Sequence, residues 1–84
     1  MFNYMQRQSE ISEILNIKDI RGITVKDMSG PMFCRFCLSQ LDGMPAYDRE
    51  VMNLSKFLNT WREPTMSDEL KIHTIQRLKS LNVL

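Results

Sequence analysis

Two cysteines in 84 residues are too few for a disulfide framework. A reducing compartment follows, and the cytoplasm is the expected location. No apolar run reaches the ~18 residues that a membrane-spanning helix needs, so no membrane partner is expected. Met1 to Gln8 holds no apolar stretch of the kind a secretory signal carries, and Glu10 and Glu13 argue against an acid-poor transit segment. Three glycines and three prolines are few, which favours helices over a turn-rich β protein. The glycines stand alone, so there is no glycine-rich phosphate loop. A formal net charge of +1 supplies no long-range field to gather nucleic acid or anionic membrane. The one histidine, His73, has no serine or acid at a recognised catalytic spacing. No enzymatic activity and no cofactor are expected.

What is present suits a globular chain: 43% hydrophobic and 25% charged residues. The length predicts one helical domain spanning 1–84. A chain of this size buries only about 60% of its unfolded surface, so its core is marginal. The expected fold is mainly α, a compact bundle of about four short helices with an irregular or short extended link at 17–29. The first helix runs from about Asn3 to Asn16, with Tyr4, Ile11, Ile14 and Leu15 on one side. Within the link, Ile23-Thr24-Val25 is β-branched and could be a strand, which would then need a partner chain. The second helix covers about Pro31 to Leu41, between a first-turn proline and a left-handed Gly43. It is apolar on most sides, with Arg35 and Gln40 at its wet edge.

The third helix, about Ala46 to Arg62, carries a seam of Tyr47, Val51, Leu54, Leu58 and Trp61 spaced four, three, four and three apart. Met52 widens it and is expected in the core, as is Met32. The fourth runs from about Ser67 to Leu81. Asp68 and Glu69 occupy its first turn, and Arg77 and Lys79 its last. Its stripe is Ile72, Ile75, Leu78 and Leu81. The short turn before it predicts that the third and fourth helices lie antiparallel.

Cys34 and Cys37 form the single C-x-x-C and are the only metal candidates. Zinc needs four ligands, so two copies of the chain would have to pool their pairs. A redox pair should sit at a helix start with a lowered thiol pKa, but Phe33, Phe36 and Leu38 flank these thiols and burial raises it. The favoured reading is that both cysteines are small core hydrophobes.

Gln8 to Ile17 reads like the first helix and turn of a helix-turn-helix. A second helix over about Asp19 to Met28 would then turn Arg21, Thr24 and Lys26 towards DNA. Gly22 and the β-branched run make that a poor recognition helix. Asp19 and Asp27 would also set negative charge beside phosphates.

Two short resemblances arise. Cys34-Arg35-Phe36-Cys37-Leu38 is similar to the opening of insect zinc-finger-associated domains, but the second C-x-x-C of that family is missing. Arg21-Gly22 with Asp27, followed by three helices, resembles the small helical assembly factors that promote flavin attachment to succinate dehydrogenase. Val25 stands where that family carries a glutamate, and no site residues carry over.

The function expected from the sequence is therefore that of a small non-enzymatic, intracellular protein-interaction or regulatory protein, or of a subunit of a larger assembly. Its alternatives are a helix-turn-helix-like DNA-binding regulator and a zinc module shared across a dimer. Apolar stripes on three helices need covering, which predicts a protein partner, most simply a second copy of the chain. Phe33, Phe36 and Trp61 are the expected interface residues.

Overall fold

Ser29, Asp48 and Ser67 each open a helix with their own side chain. In the computed structural model, which describes residues 4–84, the order is α1 (Tyr4–Leu15), a 3₁₀ turn (Val25–Asp27), α2 (Gly30–Leu41), α3 (Arg49–Thr60) and α4 (Asp68–Ser80). Side chains are described from Arg7 onward. The expected start at Asn3 and the placing of the Tyr4 side chain lie outside the described residues.

The Ser29 hydroxyl accepts from the Met32 N–H, and that of Ser67 from Leu70, both at 3.2 Å. Asp48 Oδ1 accepts from Glu50 at 2.9 Å and Val51 at 3.2 Å. These bonds satisfy N–H groups that the first turn leaves without helical partners. α2 ends at Leu41 with Asp42 as its cap residue, and Gly43 follows with φ +91°. α4 ends in a full Schellman motif: Asn82 at φ 62° donates to the Lys79 carbonyl and Val83 to that of Leu78.

The Asp48 cap corrects the expected start of α3. The helix begins at Arg49, and Tyr47 lies before it, exposed. The real seam is Val51, Leu54 and Leu58, all buried, with Trp61 half-buried just past the end. Met52 is also mostly exposed, because it sits across the helix from that seam. Met32 is half-buried and packs on the core as expected.

α2 is central. α3 packs along it, and α4 packs on α2 and α1. α3 and α4, expected to lie antiparallel, pack on α2 rather than closely on each other. Their one polar link joins the start of α3 to the end of α4, where Arg77 Nε donates to Glu50 Oε1 at 2.7 Å. The segment from Trp61 to Ser67 is extended rather than a tight turn, which lets α4 swing onto α1.

One hydrophobic cluster joins Ile14 of α1, Val25 and Met28 of the link, Phe33 and Cys37 of α2, Leu54 of α3 and Ile75 and Leu78 of α4. The stripes that argued for a dimer thus cover one another within a single chain. Four large hydrophobics stay exposed among the described residues: Ile20, Tyr47, Met52 and Leu84. No described helix is long and apolar enough to cross a membrane.

Candidate functional site

The link at 17–29 is irregular, as expected, but its β-branched stretch needs no partner chain. It folds back on itself. Val25 N–H donates to the Ile17 carbonyl at 2.8 Å and Asp19 N–H to that of Ile23 at 2.9 Å, around a bridge between Lys18 and Thr24. Gly22 N–H closes the turn onto the Asp19 carbonyl at 3.0 Å. Gly22 has φ +85°, a value that glycine alone adopts without strain.

Asp19 fixes this turn. Its Oδ1 accepts from the backbone N–H groups of Arg21 and Ile23, both at 2.9 Å. Its Oδ2 accepts from Arg21 Nε at 3.1 Å and Nη2 at 2.9 Å. Burial alone would raise the pKa of this carboxyl; the hydrogen bonds from Ile23 and Arg21 outweigh that and hold it below the ordinary carboxylate range.

Lys71 anchors the other end of the link. It is 2% exposed, and its Nζ donates to the carbonyls of Val25 at 2.9 Å, Lys26 at 3.1 Å and Met28 at 2.6 Å. The 3₁₀ turn gives the Val25 carbonyl one backbone donor, the Met28 N–H at 3.2 Å, and those of Lys26 and Met28 rely on the ammonium, which serves all three. The Phe33 ring lies 6.0 Å from the same nitrogen. Burial pulls the Lys71 pKa down, against the opposing carboxylates of Asp68 and Asp27.

Between these two anchors the turn holds Ile20 out in water, at 104% relative exposure. Beside it a hollow of about 370 Å³ opens towards α2, lined by Ile20, Met32, Phe36, Arg35 and Gln40 with the Asp19–Arg21 pair. Arg35 is exposed, and its guanidinium forms no ion pair among the described residues. A second hollow, about 500 Å³, lies between α1 and α4 and includes Ile11, Ile72 and His73. It offers no fully exposed apolar side chain.

The residues singled out in the sequence fall in different places. Phe33 is fully buried against Lys71 and the core, so it is not offered to a partner. Phe36, one turn on, does line the hollow. Trp61 is half-buried; its ring meets Phe57 edge-on at 5.8 Å and its indole N–H donates to the Glu63 carbonyl at 2.8 Å. It is distant in the chain from the turn and does not line the hollow.

The helix expected over Asp19 to Met28 is not formed. Arg21 is clamped on Asp19, Thr24 is half-buried in the bridge, and Lys26 is exposed on the 3₁₀ turn. These three residues therefore share no helical face. Cys34 and Cys37 are free thiols buried in the core. Burial pushes both thiols up, and at Cys37 repulsion from Cys34 adds to it. With no exposed surface, Cys37 cannot meet a second copy's cysteine unless the core opens. Among the described residues no three His, Cys, Asp or Glu side chains gather as a metal site would require.

Ile20 and Lys71 were not marked by the sequence pattern. Asp19 with Gly22 three residues later is a turn signal that sets Ile20 outside any helix. Lys71 falls four before Ile75 and seven before Leu78, on the buried face. No protein-family model matches the chain, and neither a curated protein nor a solved structure is significantly similar to it.

Proposed function

We propose that this chain is a small, non-enzymatic protein-interaction module acting in the cytoplasm, as a regulator or as a subunit of a larger assembly. The observation that carries this reading is Ile20. An apolar side chain fully in water is ordinary on a loose loop, where it can fold away. Here the backbone on both sides of it is fixed by Asp19, by Gly22 and by the Lys18–Thr24 bridge. An anchor held in place before binding loses little conformational entropy when a partner covers it. Hot spots of interfaces are such anchors, set beside a pocket and ringed by polar groups. Met32 and Phe36 supply the pocket wall, and Arg35 with Gln40 the polar ring. The two free thiols suit a reducing compartment.

The test is capture of partners from the cells that make the protein, with the wild-type chain and Ile20→Asp as parallel baits. Ile20 touches no core, so the variant should keep the parent's circular dichroism and thermal midpoint. Loss of a wild-type partner from the Ile20→Asp bait supports the reading. Identical captured sets would refute it.

A further inference from the structure

We propose that the hollow between the Asp19–Gly22 turn and α2 takes an acidic, apolar linear segment of another protein, with an apolar side chain against Ile20 and Phe36 and a carboxylate on Arg35. This rests on the reading of Ile20 as an interface anchor.

Charge complementarity selects the occupant. Three charged residues border the hollow: Asp19, Arg21 and Arg35. Asp19 is the acid, and both its oxygens are already engaged, Oδ1 by two backbone N–H groups and Oδ2 by the Arg21 guanidinium. A carboxylate accepts about four hydrogen bonds, so Asp19 has nothing left for a basic occupant. Arg21 is neutralised by the same pair. Arg35 is the charge that remains, and a guanidinium binds a carboxylate through paired donors. A lysine or arginine brought into the hollow would meet that cation with no free acid to offset it.

Size and shape select a segment over a folded face. A hollow of about 370 Å³ is at the small end of ligand sites. It suits one or two side chains of a flexible strand, whose neighbours can reach the rim. The N–H groups of Asp19, Arg21, Gly22 and Ile23 are used internally, so the occupant gains most of its affinity from side chains rather than from strand pairing with that backbone.

Two acetylated pentapeptides test the claim, one alternating leucine with aspartate and the other leucine with lysine. Octanoate serves as a free apolar acid. Binding to the full chain is read from amide NMR shifts at Ile20, Arg35 and Phe36, at low salt. The acidic peptide should bind about tenfold tighter than the lysine peptide, by charge complementarity at the rim. The preference should shrink as salt rises, and Arg35→Glu should reverse it. Equal affinities, no shift with either peptide, octanoate binding as tightly as the acidic peptide, or a preference indifferent to Arg35→Glu would each overturn the proposal. The capture experiment separates the two claims. If Ile20→Asp loses a natural partner while the peptides are not discriminated, the anchor stands and the acidic segment falls. If capture is unchanged by Ile20→Asp, both fall.

Discussion

The Lys71 ammonium donates to the Val25 carbonyl at 2.9 Å, joining residues 46 positions apart in the chain. With the Lys26 and Met28 carbonyls on the same nitrogen, this one side chain ties α4 to the end of the link. A buried charge is costly unless fully hydrogen-bonded. Three acceptors around a three-donor ammonium meet that condition.

Lys71→Met tests it. The methionine leaves the Met28 carbonyl buried without a donor and that of Lys26 without its ammonium, while the Val25 carbonyl keeps the Met28 N–H at 3.2 Å. Each unpaired group costs about 1–3 kcal/mol, offset in part because no charge is buried. A net loss of about 1–3 kcal/mol is expected in denaturant unfolding, with faster amide exchange at Asp27 and Met28. An unchanged midpoint would show that the ammonium contributes only neutral packing.

Alkaline pH should reveal the same lysine. Burial holds its pKa below the ordinary lysine range, despite Asp68 and Asp27. Between that lowered value and about 10.4, the unfolded chain binds more protons than the folded one. Stability from this group therefore rises with pH across the window and is flat below it. The difference in unfolding free energy between wild type and Lys71→Met removes other titrations. It should drift in favour of the wild type as pH climbs towards the ordinary lysine value. A flat difference would contradict the burial of the charge.

Gly30→Ala should reverse the usual sign of a helical Gly-to-Ala change. Alanine in a helix is normally favoured by about 1 kcal/mol. Here the new Cβ would lie 2.5 Å from both the Glu63 carbonyl oxygen and Trp61 Nε1, which are hydrogen-bonded to each other. The Gly30 N–H also donates to the Pro64 carbonyl at 2.9 Å. Neither neighbour can retreat without breaking a bond. A loss of about 1–3 kcal/mol is expected, with a shift in Trp61 fluorescence. A stabilised variant would mean that Trp61 does not rest on α2.

The buried thiols make a kinetic prediction. The unfolded cysteines ionise at about 8.5, while burial keeps the folded ones neutral above that. Their contribution to stability is complete below the ordinary thiol range and falls as pH rises beyond it. At neutral to mildly alkaline pH, an aromatic disulfide reagent should label Cys37 only as fast as the chain unfolds. Labelling much faster than unfolding would place the thiol at the surface.

Much of the helical framework was legible because its signals are local. Ser67 with Asp68 and Glu69 marks a start, Pro31 and Gly43 bracket α2, and the Val51–Leu54–Leu58 spacing has one helical period. Tyr47 misleads because it continues that spacing one turn back, across the Asp48 cap; periodicity does not see where a side chain stops the helix. Phe33 and Phe36 are alike in type and lie one turn apart on the same side of α2, and only packing decides that Phe33 is enclosed by the core while Phe36 sits at its edge and lines the hollow. The candidate site was not legible. Lys71 is charged, so its place on an apolar face reads as an interruption until its acceptors are known, and these are backbone carbonyls from another part of the chain. Ile20 reads as one more apolar residue of a helix. The turn that exposes it depends on both oxygens of Asp19, a geometry that residue type alone does not state.

The account rests most heavily on Ile20 being held rigidly in water, and backbone ¹⁵N relaxation over Asp19 to Gly22 measures that directly. A preorganised anchor predicts order parameters of about 0.85 at Ile20 and Arg21, level with the helices. Asp19→Ala, which removes the acceptors of the turn, should lower them sharply. Values below about 0.6 in the wild-type chain would contradict the account, because a freely moving isoleucine is not an anchor.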